Sequence, residues 1–84
     1  MNLEMICMTE GFHYRQPPAS AQFAVLVRDN HNGPRVIYFN DIGQTKQEVG
    51  NIFKNEVEPG DVMVYSLVNH QLMDNPEALK RFCK

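Results

Sequence analysis

Residues 21–40, AQFAVLVRDNHNGPRVIYFN, hold two β-rich runs on either side of a polar turn. Val, Ile, Phe and Tyr crowd the runs, and the middle contains Asn30, Asn32, Gly33 and Pro34. Asn and Gly tolerate a positive φ, which lets the chain reverse within a few residues. The stretch therefore predicts a β-hairpin, and this hairpin places a sheet at the centre of the fold.

A helix is predicted after the hairpin. Thr45 and Glu48 have the spacing of a capping box, in which each side chain bonds a free amide of the first turn. Apolar residues at helical spacing then mark one buried stripe: Val49, Ile52, Phe53 and Val57.

The next signal is a turn followed by a strand. Residues 58–61 (EPGD) place Pro and Gly where a type II turn prefers them. Residues 61–69 (DVMVYSLVN) then alternate as a strand with two apolar faces. One face holds Val62, Val64 and Val68, and the other holds Met63, Tyr65 and Leu67.

The two ends of the chain are interpreted as follows. Residues 3–8 (LEMICM) predict a short strand, with a buried N-terminal arm as the alternative. Residues 11–20 (GFHYRQPPAS) predict a loop, because Pro17 and Pro18 remove backbone donors. Asp74, Asn75 and Pro76 open a last helix whose buried side is Ala78, Leu79 and Phe82.

The resulting order is β-β-β-α-β-α. It predicts one compact α+β domain over residues 1–84, with a mixed sheet of three or four strands and two helices. The helix between the third and fourth strands is a crossover, which predicts that those two strands run parallel with a right-handed connection. The hairpin is antiparallel, and for this reason we expect a mixed sheet.

Composition narrows the classes of function. The chain has 84 residues and a net charge of −2, so it lacks the basic excess typical of generic nucleic-acid binders. No apolar run approaches the roughly 20 residues of a membrane span, and residues 1–8 lack the basic start of a signal peptide. The two cysteines, Cys7 and Cys83, are expected to be reduced thiols, with a disulfide between them as the alternative. Together these features predict a cytoplasmic protein without a membrane partner.

Catalytic and metal motifs give little support to an enzyme. The three histidines, His13, His31 and His70, form no metal-ligand spacing with each other or with the cysteines. Cys7 and His13 are the nominal nucleophile and base, but Cys7 lies in an apolar run. We therefore predict no catalytic residues, no metal and no cofactor.

Binding residues are predicted in the loop and at the hairpin. Phe12, Tyr14 and Arg15 combine the aromatic and arginine side chains that dominate protein interfaces, although Phe12 and Tyr14 could instead close the end of the core. Arg28 and Arg35 flank the hairpin turn and complete the predicted partner-binding set. A two-stranded ribbon can also enter a groove of DNA, so these two arginines carry the nucleic-acid alternative.

A second apolar sheet face is the last candidate, and it has two interpretations. Either the two helices cover opposite faces and hide it, or it pairs with a partner or with a second copy of the chain. In the second case Tyr38 and Tyr65 are the predicted self-association residues of a homodimer. The face comprises Val36, Tyr38, Met63, Tyr65 and Leu67.

These observations predict a small protein-binding module that acts as an inhibitor or adaptor of a larger protein or complex. In size and in its lack of motifs the chain resembles small inhibitors encoded by phages and mobile elements, including anti-CRISPR proteins. The resemblance is one of kind and involves no aligned residues. The alternative is a small nucleic-acid-associated regulator that uses the arginines of residues 28–35.

Overall fold

The computed structural model describes residues 2–29, 33–54 and 57–73. The predicted last helix, from residue 74 onward, lies outside the described residues, as does the hairpin tip with His31. The described elements are helices α1 (Leu3–Glu10) and α2 (Ile42–Lys54), a short 3-10 helix (Pro59–Asp61), and strands β1 (Phe23–Asp29), β2 (Gly33–Phe39), β3 (Val62–Ser66) and β4 (Gln71–Leu72).

The four strands form one sheet in the order β2-β1-β3-β4. The α+β class and the four-stranded sheet are as predicted, but the mixed sheet is wrong, because all three neighbouring pairs are antiparallel. Both β2 and β3 pair with β1, so they run in the same direction with β1 between them. The predicted crossover is therefore present as a split β-α-β arrangement, in which α2 carries the chain past β1.

The hairpin of β1 and β2 is confirmed. Its register runs from Phe23 opposite Phe39 to Asp29 opposite Gly33. Gly33 has φ of 72°, a left-handed conformation that glycine adopts without steric cost. Here local turn chemistry and strand alternation agree, and both are readable from the sequence.

Residues 3–8 form part of helix α1, so the predicted strand is wrong. The Asn2 side chain accepts a hydrogen bond from the Met5 amide at 2.8 Å and caps the helix start. Gly11 ends the helix with φ of 81°, and the Phe12 amide donates to the Cys7 carbonyl at 2.8 Å. Both caps, together with Leu and Met as good helix formers, favour the helix over a strand.

Helix α2 begins three residues earlier than its predicted capping box. The Asp41 side chain accepts from the Gln44 amide at 2.8 Å and so takes the capping role. The Thr45 hydroxyl donates back to the Asp41 carbonyl at 2.8 Å, and its side chain is buried. The capping box of Thr45 and Glu48 is therefore wrong, whereas the apolar stripe through Val49 and Ile52 is confirmed by burial.

The turn at residues 58–61 is present, but its type differs from the prediction. The Asp61 amide donates to the Glu58 carbonyl at 2.9 Å within a 3-10 turn, and Gly60 lacks the positive φ that a type II turn requires. Strand β3 then ends at Ser66, whose hydroxyl accepts from the Asn69 amide at 3.2 Å. Because the chain turns there, Val68 is exposed rather than part of the predicted strand face.

Side chains from the two faces of the sheet form two separate clusters. On the α1 face, α1 and Phe12 cover the sheet; on the α2 face, α2 covers it. The predicted second apolar face is thus covered within the chain by α1. The buried members are Leu3, Ile6, Cys7, Phe12, Ala24, Leu26, Val36 and Tyr65 on the α1 face, and Val25, Val27, Val49, Ile52, Val62 and Val64 on the α2 face.

Candidate functional site

Arg28 fastens the end of α1 to the sheet. Its guanidinium donates to the Glu10 carbonyl at 2.6 Å, lies 3.8 Å from the Glu10 carboxylate, and sits 5.0 Å from the centre of the Phe12 ring. Cations are attracted to aromatic ring faces at this distance. Arg28, predicted as a partner-binding residue, therefore has an internal role as well.

Arg15 and Tyr38 fix the loop of residues 11–20 to β2. The Arg15 guanidinium donates to the Val36 carbonyl at 3.3 Å, and the Tyr38 hydroxyl donates to the Arg15 carbonyl at 2.5 Å. Both bonds join residues more than twenty positions apart in the chain. The predicted binding residue Arg15 and the predicted self-association residue Tyr38 thus hold the loop in place.

Arg35 lies near the hairpin turn, as predicted. Its guanidinium is 3.8 Å from the Asp29 carboxylate. Arg28 and Arg35 therefore both face acidic partners within the chain, which reduces the positive charge that the hairpin offers to a nucleic acid.

Phe12, Tyr14 and Tyr65 differ sharply in exposure. Phe12 is buried in the α1 face, as its core-closing interpretation expected, and Tyr65 is only 1% exposed. Tyr65 packs inside the α1 face, and its self-association role stays a prediction. Tyr14 is 36% exposed and is the aromatic side chain of the predicted loop that remains accessible.

Exposed apolar side chains gather on the α1 side of the sheet. Met5 and Met8 lie on the outer side of α1, with exposed fractions of 53% and 76%. Leu72 is exposed and pairs with Tyr65 across the sheet, which places its side chain on the α1 face. We name the set Met5, Met8, Tyr14 and Leu72 the α1 surface.

A cavity of about 250 Å³ opens beside the α1 surface. It lies between the first turn of α1, the loop at Tyr14 and Pro17, and the turn between β3 and β4. Tyr65 and Leu67 contribute the sheet side of its lining, and His70 the turn. His70 has φ of 55°, a left-handed conformation that is uncommon for residues other than glycine.

Three titratable groups of the α1 face have raised pKa values. Burial raises the pKa of the Cys7 thiol and of the Tyr65 hydroxyl. Burial also raises the pKa of Tyr38, where Cys7 and Tyr14 add to the rise and Arg15 opposes it. A buried, protonated thiol is a poor nucleophile, so these shifts favour a packing role for Cys7.

The described residues were also compared with the requirements of metal and membrane sites. Within residues 2–29, 33–54 and 57–73, no three His, Cys, Asp or Glu side chains approach closely enough to hold a metal ion. In the same part of the chain, no helix has the length and apolar character needed to cross a bilayer.

Comparison of the chain with family models, curated proteins and solved structures finds no match.

The predicted binding residues include Tyr14 of the α1 surface but omit Met5, Met8 and Leu72. Met5 and Met8 lie in the predicted strand of residues 3–8, and His70 is considered only as a metal ligand. The available signal was the cap pair, Asn2 before the apolar run and Gly11 after it, because a helix between them places Met5 and Met8 together on one side.

Proposed function

We propose that this protein is a small protein-binding module that acts as an inhibitor or adaptor of a larger protein or complex, and that it binds through the α1 surface. One observation carries the proposal. Helix α1 packs Leu3, Ile6 and Cys7 against the sheet, yet it also turns Met5 and Met8 outward. Methionine is flexible and polarizable, which suits it to surfaces that adapt to a partner.

The chemistry of the α1 surface favours a protein over a nucleic acid. The exposed side chains are apolar, and Glu4 is an acidic residue on the same helix. Phosphate backbones require cations, whereas a protein partner can bury apolar side chains over a standard area of about 800 Å² per partner.

The proposal is tested by comparing matched glutamine variants in an affinity pull-down. Tagged wild type, a Met5→Gln and Met8→Gln double variant, and Ile42→Gln are incubated with nuclease-treated lysate of the native host. Glutamine matches methionine in length and helix propensity, so the double variant removes apolar character with little effect on α1. Ile42 is also exposed but lies at the start of α2, which makes it the control.

We expect one stoichiometric protein to be retained by wild type and by Ile42→Gln, and lost from the double variant. Equal retention by all three forms would contradict binding through the α1 surface. A partner that is retained only when nuclease is omitted would favour the nucleic-acid regulator instead.

Of the predicted partner-binding residues, Tyr14 is the one that also belongs to the α1 surface. Truncation by Tyr14→Ala is expected to weaken partner binding by more than about 1 kcal/mol, the usual threshold for a hot spot, and to leave the fold intact because the ring is partly exposed. Titration calorimetry with the captured partner measures the change. An unchanged affinity would remove Tyr14 from the interface.

The predicted kind of inhibitor and the predicted location in the cell belong to the same proposal. An inhibitor of the phage or mobile-element kind and a cytoplasmic location are both compatible with the buried free thiol of Cys7. The nucleic-acid regulator stays an alternative prediction. It requires binding to labelled DNA or RNA that weakens steeply as salt is added.

A further inference from the structure

We propose that the cavity beside the α1 surface receives a basic side chain, the guanidinium or ammonium group of an arginine or lysine on the protein partner. This inference rests on the proposed function, because it names the chemistry of the partner at one point of the interface. The lining of the cavity, its charge and its position support this assignment.

The cavity has room for one side chain. The cavity measures about 250 Å³ and is open to solvent. Tyr14, partly exposed, stands at its rim, and the buried Tyr65 and partly buried Leu67 form the side toward the sheet. A long aliphatic stem packs well on such apolar walls while its charged end remains near polar groups.

Charge favours a cation in this cavity. Glu4 is the acidic residue of the lining, and its side chain is exposed and therefore accessible. The faces of tyrosine rings also attract cations. Arg15, the neighbour of Tyr14 in sequence, directs its guanidinium to the Val36 carbonyl and does not line the cavity.

An anion is less suitable, although the first turn of α1 borders the cavity. The Asn2 side chain already accepts the Met5 amide, which occupies one of the donors that an anion would use. The Glu4 carboxylate in the same turn would repel an anion. The occupied Met5 amide and the Glu4 carboxylate therefore both favour a cation over an anion in this cavity.

The first test uses a probe and needs no partner. The uniformly labelled protein is titrated at low salt with N-acetyl-argininamide and, separately, with N-acetyl-citrullinamide, to about 50 mM because a single side chain binds weakly. Amide resonances are followed by NMR. The two probes have the same shape, and only the first carries a positive charge.

We expect saturable shifts at Glu4, Tyr14 and Leu67 with the arginine probe, and at least about threefold weaker binding of the citrulline probe, in line with one ion pair and one ring contact. Equal binding of the two probes, shifts elsewhere on the surface, or no shift at all would each overturn the proposal.

Variants separate the two attractive groups. Glu4→Gln is expected to weaken the arginine probe roughly threefold, whereas Glu58→Gln, an exposed carboxylate outside the cavity, leaves it unchanged. Tyr14→Phe keeps the ring and retains binding, and Tyr14→Ala loses it. A loss with Tyr14→Phe, or equal effects of the two glutamate changes, would contradict this assignment.

The outcomes also distinguish this inference from the proposed function. If Met5→Gln and Met8→Gln abolish capture of the partner but Glu4→Gln and Tyr14→Ala leave its affinity unchanged, the α1 surface stands and the basic side chain is rejected. If the probe binds as expected but no partner is captured through the α1 surface, the cavity chemistry stands and the protein-binding function is rejected.

Discussion

The two faces of the sheet are covered in different ways. On the α2 face a 13-residue helix presents one apolar stripe, and the buried apolar residues are all valine or isoleucine. On the α1 face an eight-residue helix is apolar on both sides, and polar bonds from Arg28, Arg15 and Tyr38 fasten it and the following loop. The comparison indicates that the α2 face mainly provides stability, whereas the α1 face also presents side chains outward.

The largest effect is expected on the α2 face. Ile52 is buried among valines, so Ile52→Ala should lower the free energy of unfolding by about 3 kcal/mol through lost burial and a cavity. Urea unfolding measures the change. Gln47→Ala, an exposed change on the same helix, is the control and should stay within about 0.5 kcal/mol. A loss below about 1 kcal/mol for Ile52→Ala would show that this stripe contributes little.

A smaller effect is expected for Arg28 on the α1 face. Arg28→Ala removes a charged hydrogen bond and a ring contact, and it should cost about 1.5 kcal/mol of stability. Arg35→Ala is the matched control, since the two side chains are 37% and 36% exposed and each lies 3.8 Å from a carboxylate. We expect the surface pair of Arg35 to contribute less than about 1 kcal/mol. Equal losses in urea unfolding would mean that Arg28 has no special role in fastening α1.

The next prediction compares the strained backbone of His70, which lines the cavity, with that of its neighbour Asn69. His70 holds a positive φ, so His70→Gly should raise the free energy of unfolding by about 0.5–1 kcal/mol. Asn69 lies in the same turn without a positive φ, and Asn69→Gly should instead lower it by about 0.5 kcal/mol. Thermal unfolding of both variants decides this, and a change of the same sign in both would contradict strain at His70.

Alkaline pH should affect the α1 face selectively, with no effect at neutral pH. Cys7, Tyr38 and Tyr65 have folded-state pKa values above their unfolded values, so the folded state holds these protons more tightly. The contribution of these groups to the free energy of unfolding is therefore complete below about pH 8.5, where the unfolded thiol is protonated. It declines as the pH rises through the folded pKa values.

Urea unfolding between neutral and alkaline pH checks this expectation. Cys7→Ala should remove the earliest part of the decline, and Tyr38→Phe should reduce the part that begins near pH 10, the ordinary pKa of tyrosine. Each variant is compared with its own value at neutral pH, because both also lose contacts there. A decline unchanged in both variants would place the responsible groups elsewhere.

Local signals predicted much of the fold. The hairpin of β1 and β2 and the stripe of α2 follow from turn residues and apolar spacing within one segment. The pairing of β3 with β1 instead of β2 has no local signal, because any strand with two apolar faces fits either neighbour. Residues 3–8 were missed for a related reason, since a helix that is apolar on both sides shows no clear period.

The candidate site was predictable only in part. The binding role of residues 12–15 stays a prediction, and Arg15 and Arg28 bond to backbone carbonyls of Val36 and Glu10. A backbone acceptor has no side-chain signature, so an arginine that serves the fold looks the same in sequence as one that serves a partner.

The bond from Arg15 to Val36 has a consequence for the outer edge of β2. The Leu67 amide donates to the Gln22 carbonyl, so the backbone N–H and C=O groups of the even-numbered β1 residues point toward β3. The odd-numbered β1 residues therefore bond to the odd-numbered residues of β2, and the even-numbered β2 residues point their backbone groups away from the sheet. Of these, Pro34 has no N–H to offer, and the Val36 carbonyl is already occupied by Arg15. The edge is thereby a poor template for recruitment of a foreign strand, and this opposes amyloid-like growth at the longest open margin of the described sheet.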